Sequence, residues 1–196
     1  YRGYAGQVAS GVVKVGDEVT VQPSGRSTTI AGIDFAGREF TEAFAPQSVT
    51  LRLADDLDVA RGDLIVTSRH VPELSQDIDG TVAWLADSAL RPGAKVLVKH
   101  GTRTVQALVR SIGGKLDLNS AELLPADELQ LNDIGHVTLR LAAPIPAEHY
   151  LQSRSTGAFL LIDAQDGGTL AAGMVGDALL ETREALLDVS TATIRA

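Results

Sequence analysis

The chain has 196 residues and carries a formal net charge of −8, from 17 basic and 25 acidic side chains, with no cysteine. That length supports one large or two small domains with a core of their own. The missing thiols exclude disulfides, cysteine-based zinc sites and thiol nucleophiles, and the negative field disfavours nonspecific binding to nucleic acid. No apolar run reaches the roughly 18 residues of a membrane span, and no signal-peptide-type leader is evident.

The opening stretch, Arg2 to Val21, reads as strand, bend, strand. Val13, Val15, Val19 and Val21 favour extended backbone, Glu18-Val19-Thr20-Val21 alternates, and Val15-Gly16-Asp17-Glu18 supplies the turn of a predicted hairpin. Gly11 predicts a bulge or a close backbone approach. Pro23-Ser24-Gly25-Arg26 is a turn, Ser27–Ile33 a strand, and Ala36-Gly37-Arg38 a second turn. A short segment at Glu42–Ala45 precedes Gln47–Leu53, which places Val49, Leu51 and Leu53 on one face. An acidic turn at Ala54–Val59 and Arg61-Gly62-Asp63 lead to a short buried strand, Leu64–Val66. Short strands at turn-separated intervals predict a barrel or sandwich over residues 1–67.

Residues 68–77 lack a period, contain Pro72, and read as a linker. A second β unit follows over residues 78–176. Gly80–Leu85 is a strand carrying the only tryptophan, Leu90–Ala94 a Pro-Gly turn, and Lys95–Lys99 and Arg103–Ile112 are strands. Gly113-Gly114 predicts a tight turn into Lys115–Leu118, and Ala121–Leu131 is helix-like but limited by Pro125. Ile134–Leu141 is a strong strand, with His136, Thr138 and Arg140 alternating against Val137, Leu139 and Leu141; Pro144 and Pro146 break the pattern. Phe159–Asp163 is wholly apolar up to its last residue and reads as central, Asp166-Gly167-Gly168 as a hairpin turn, and Thr169–Val175 as the returning strand. In residues 177–196, Leu179, Leu180, Leu186 and Leu187 recur on one face, which predicts an amphipathic helical tail.

Candidate chemistry is sparse. Asp55, Asp56 and Asp58 are neighbours in one turn, whereas metal or acid–base work needs oxygens converging from separate elements. His70, His100, His136 and His149 form no HxH or HxxxH pair and read as surface or satisfied histidines. There is no Gly-x-Ser-x-Gly elbow and no GxxxxGK[ST] phosphate cradle. Ala172-Gly173-Met174-Val175-Gly176 follows a hairpin rather than opening a crossover helix, so it is not a dinucleotide fingerprint. Lys99, Arg103 and Arg110 with Trp84 suggest a single-strand nucleic-acid platform, which 4% aromatic content and the acidic balance argue against. No catalytic, cofactor-binding or metal-binding residue is assigned.

The residues themselves carry a resemblance. Gly6, Val8, Gly11, Val13, Gly16 and Val19 match the pattern that opens the second domain of translation-factor GTPases of the elongation-factor Tu type. Two of these glycines are expected at bends and one at a close strand crossing. Within that superfamily the chain resembles the large subunits of bacterial sulfate adenylyltransferase. The similar stretches are Arg2–Gln7, Val19–Arg26, Asp58–Ile65, Lys99–Thr102, Leu131–Gly135, Pro144-Ile145, Arg154–Asp163 and Ala172–Met174.

The resemblance implies an all-β fold of two consecutive barrels of the domain 2 and domain 3 type, with a short C-terminal helix. It implies a cytoplasmic protein in which a GTPase domain, holding GTP and magnesium, is coupled to a small catalytic subunit. That subunit forms adenosine 5′-phosphosulfate from ATP and sulfate. In some members the large subunit continues into an adenylylsulfate kinase. The GTPase domain, with its cofactors, and the strand before the opening hairpin have no counterpart here, so the expectation is a piece of a longer protein, inactive alone. Its expected partners are the GTPase domain, the small subunit and, where fused, the kinase, with neither nucleic acid nor membrane among them. The alternatives are barrels of another translation-type GTPase contacting RNA, or a stand-alone binding module; a basic stripe would mark the former.

Overall fold

A computed structural model describes residues 1–68 and 71–177. The chain divides into two compact units: residues 1–74 with 101–103, and residues 75–100 with the chain from 104 onward. The helical tail expected from the leucines of Ala178–Val189 lies outside the described residues, as does His70.

The first unit consists of β1 (Tyr4–Gln7), β2 (Val12–Lys14), β3 (Glu18–Gln22), β4 (Arg26–Phe35), β5 (Arg38–Phe40), β6 (Glu42–Phe44), β7 (Ser48–Leu53) and β8 (Leu64–Thr67), with valine, isoleucine and threonine concentrated in β2, β3, β4, β7 and β8. The opening stretch is not a hairpin. Its three strands enter three different pairings: β1 lies on β7, β2 pairs only with β6, and β3 lies between β4 and β8. The reason lies in two bends. Gly11 and Gly16 adopt φ of +71° and +89°, a region L-residues avoid, and each bend swings the chain onto a new partner. Neither glycine nor Gly6 has a neighbour within 4 Å of where a Cβ would stand, so no close crossing occurs at any of the three. The Gly16 turn is held by Asp17, whose carboxylate accepts from Lys14 N–H at 2.8 Å. Val19, Ile30, Ile33, Ala43 and Val49 form the core, and β8 is half-buried rather than buried.

In the second unit the strands are β9 (Leu74–Trp84), β10 (Lys95–His100), β11 (Arg103–Asp117), β12 (Glu122–Leu124), β13 (Ile134–Pro146), β14 (Ala158–Ile162) and β15 (Thr169–Val175), with one short helix, α1 (Arg154–Gly157). The ladder runs β10-β14-β15-β9-β13-β11 and returns to β10, a closed six-stranded barrel to which β12 adds at β11. Closure leaves the six strands no free edge. Inward residues alternate along each strand: Val137, Leu139 and Leu141 of β13 are buried, as are Phe159 and Leu161 of β14, which is central between β10 and β15. Trp84 is buried among them and donates its indole N–H to Ser88 O at 2.8 Å. Each large side chain sealed here contributes about 1.5–3 kcal/mol relative to exposure.

Four local expectations need correction. Residues 74–77, read as irregular, belong to β9. Gly113-Gly114 is no turn; β11 runs through it with a register shift against β13, and Gly114 sits at φ +147° under Leu124 O. Residues 121–131 contain β12 and a Leu90–Leu129 bridge instead of a helix, because Leu129 is buried by pairing rather than on a helical face. Pro144 and Pro146 lie within β13 rather than ending it.

Candidate functional site

The acidic turn at residues 54–59 follows β7. Asp55 accepts from the buried Thr28 hydroxyl at 2.9 Å, while Asp56 pairs with Arg2, whose other guanidinium nitrogen donates to Leu57 O at 3.1 Å. Tyr4 donates its hydroxyl to the same carbonyl. Asp58 is exposed. Asp55 and Asp56 serve separate partners, Asp58 has none among the described residues, and the three do not converge. Asp55 fastens the turn to β4, and Asp56 with the Leu57 carbonyl fastens it to Arg2 and Tyr4 at the start of the chain's first strand.

A second polar cluster surrounds α1. His100 ends β10 with its ring buried and holds Thr156 O at 2.6 Å through Nε2. The Thr156 hydroxyl lies 2.6 Å from Ser153 Oγ and bonds Glu148. His100 is thus satisfied by a carbonyl oxygen, an arrangement that positions no nucleophile. His136 is half-buried on the outward face of β13, and His149 accepts from Leu151 N–H at 3.3 Å through Nδ1.

An open groove of about 650 Å3 lies in the second unit, between the Pro92 turn and residues 125–133. Four of its five charged side chains, Arg91, Lys115, Glu128 and Asp133, are paired with one another or with Gln130. Glu128 accepts from Arg91 at 2.7 Å and from Gln130 at 3.1 Å, and these two donors hold its carboxyl below the ordinary range, Gln130 contributing most. Asp133 accepts from Gln130 N–H at 2.8 Å and lies 3.5 Å from Lys115 Nζ. Such a groove closes a loop onto a barrel; of its acids only the exposed Asp127 has no partner among the described residues, and it has no second carboxylate or base beside it to work with.

The residues weighed as a nucleic-acid platform do not assemble. Trp84 is in the core, so no base stacks on it. Arg110 shares Asp77 with Arg140, at 3.6 and 2.6 Å. Arg103 is partly buried at the start of β11, and Lys99 is exposed on β10. Residues 172–176 are strand and its exit, and Gly173 lies under the Phe159 ring. Among the described residues no group of three His, Cys, Asp or Glu side chains could hold a metal ion, and no helix is long and apolar enough to cross a membrane. Sequence reasoning missed the Glu128–Arg91 and Thr156–His100 networks. Their partners lie 37 and 56 residues apart, which local spacing does not reveal.

These two units of short strands, the second a closed barrel, are of the translation-factor type. The crystal structure of Sup35 complexed with GDP superposes with a TM-score of 0.79 at 21% identity, over 89% of this chain and 45% of that one; the match is to the fold. The profile described as GTP-eEF1A C-terminal domain-like matches residues 77–176, and the chain belongs to that family.

Named relatives are nearer in sequence. The bifunctional enzyme CysN/CysC of Mycobacterium tuberculosis is 46% identical over 177 residues, which is 89% of this chain and 29% of the relative. Sulfate adenylyltransferase subunit 1 of Methylorubrum populi is 41% identical over 93% of this chain and 39% of its own length. The Methylorubrum extorquens protein of the same name is 40% identical over all 196 residues and 42% of its length. The chain thus spans less than half of each, and corresponds to a region of the sulfate adenylyltransferase large subunit with a translation-factor-like C-terminal domain.

Proposed function

We propose that this chain is the non-GTPase barrel portion of a sulfate adenylyltransferase large subunit, with residues 1–67 and 78–176 as its two barrel domains. In that enzyme, ATP and sulfate give adenosine 5′-phosphosulfate and pyrophosphate, an unfavourable activation coupled to GTP hydrolysis. The barrels act as a rigid platform that orients a GTPase domain and contacts a small catalytic subunit in the cytoplasm. The observation that carries this reading is 46% identity running through both units to a bifunctional relative. It is supported by the state of the polar groups: Asp55 and Asp56 of the acidic turn, Glu148 beside α1, and Glu128 and Asp133 of the groove are taken up by internal partners. Rigid scaffolds of this kind carry sites on adjoining elements rather than in their walls.

Two measurements test it. Isothermal titration of the chain with GTP or ATP is expected to show no binding, and micromolar binding of either sinks the platform reading. Capture of the chain by the purified small subunit of its own enzyme is expected, whereas capture by RNA instead would favour another translation-type GTPase.

A further inference from the structure

We propose that the outward face of β10 and β14 is the docking surface for an acidic segment of the small subunit, with aliphatic side chains among its carboxylates. This rests on the reading that the chain contacts that subunit.

On β10 the inward residues Val96, Val98 and His100 are buried, so Lys95, Leu97 and Lys99 point outward. On β14 Phe159 and Leu161 are buried, so Leu160 and Ile162 point outward, both partly exposed. The register sets Leu97 opposite Ile162, Lys99 opposite Leu160, and Leu160 opposite Ala172 of β15. Directly opposed residues on one sheet face stand about 4.5–5.5 Å apart at Cβ, so these side chains form one continuous aliphatic strip. The solvated face of an antiparallel strand ordinarily carries polar residues at those positions.

Charge selects the occupant. The chain has four lysines and a net charge of −8. Lys14 lies 3.3 Å from Glu42 and Lys115 lies 3.5 Å from Asp133. Lys95 and Lys99 have no carboxylate partner among the described residues, although acidic groups outnumber basic ones. Two uncommitted ammonium groups therefore flank the strip. A lysine stem lies along apolar surface while its head stays at a wet rim, which is where charge steers association. A partner with carboxylates around aliphatic side chains matches both features. A second acidic copy of this chain is disfavoured by its net charge.

The test is the affinity of this chain for the purified small subunit, measured by biolayer interferometry at several salt concentrations. Wild-type binding is expected to weaken with salt. The double variant Lys95→Glu, Lys99→Glu is expected to lose about tenfold or more in affinity and most of the salt dependence. Leu160→Asn is expected to weaken binding while leaving the salt dependence intact. Arg26→Glu, on the first unit, is expected to change neither, and circular dichroism checks that each variant is folded. If wild type fails to bind, the platform reading falls and this inference with it. If wild type binds and the lysine variant binds equally well with the same salt dependence, only the docking face is overturned. Loss of a homodimer in the lysine variant by analytical ultracentrifugation would overturn it too.

Discussion

Glu128 shows how the charged side chains of this protein are spent. Its carboxyl is held low by Gln130 and Arg91, so the folded state keeps it ionised further into acid than the unfolded chain does. The stabilisation is complete above the unfolded carboxylate range and is lost as pH falls through the lowered folded value. Arg91→Ala removes one of the two donors. Carbon-detected NMR titration of the Glu128 carboxyl is expected to give a higher midpoint in the variant; an unchanged midpoint would mean the pair is not formed in solution. A second residue-scale prediction concerns Gly173, which faces Phe159 across β14 and β15. A Cβ there would stand 2.3 Å from the ring. Gly173→Ala is expected to cost about 1–3 kcal/mol in urea denaturation.

At the scale of elements, the bulge in β11 gives the next prediction. Gly114 holds a φ of +147°, and an added Cβ would meet Leu124 O at 2.6 Å. Gly114→Ala is expected to destabilise by about 1–3 kcal/mol and to loosen β12, seen as faster amide exchange at residues 122–124. This strand also marks where the sequence stops being legible. Strict alternation made β13 readable, the apolar run made β14 readable, and Asp166-Gly167-Gly168 announced its hairpin through the φ of +76° that Gly167 adopts. Two glycines in succession read as a turn because the bulge that needs them depends on β13, which arrives some twenty residues later. The leucines of residues 123–131 read as helix because spacing alone carries no record of Leu90, the distant partner that buries Leu129. The polar clusters were illegible for the same reason: composition shows each acid, but not the far-off donor that occupies it.

At the scale of the molecule, each unit has its own buried cluster, Val19 with Ile30, Ile33, Ala43 and Val49 in one, and the larger cluster around Trp84 in the other. Separate cores predict separate melting. Scanning calorimetry is expected to show heat absorption that does not fit one two-state transition. Gly173→Ala should lower only the component that moves with Trp84 fluorescence. One transition shifted as a whole would show instead that the units unfold together.

The dispersal of the opening stretch over three pairings sets a schedule for the chain as it is made. β1 waits for β7, and β2 waits for β6, each about thirty to forty-five residues downstream. The first-made residues of this unit are therefore among the last of it to be fixed in place, since loop closure must precede such non-local contacts. Until Leu53 has emerged, the valines of the first twenty residues have no complete sheet to join. A nascent chain stalled before that point would be the form most exposed to chaperones.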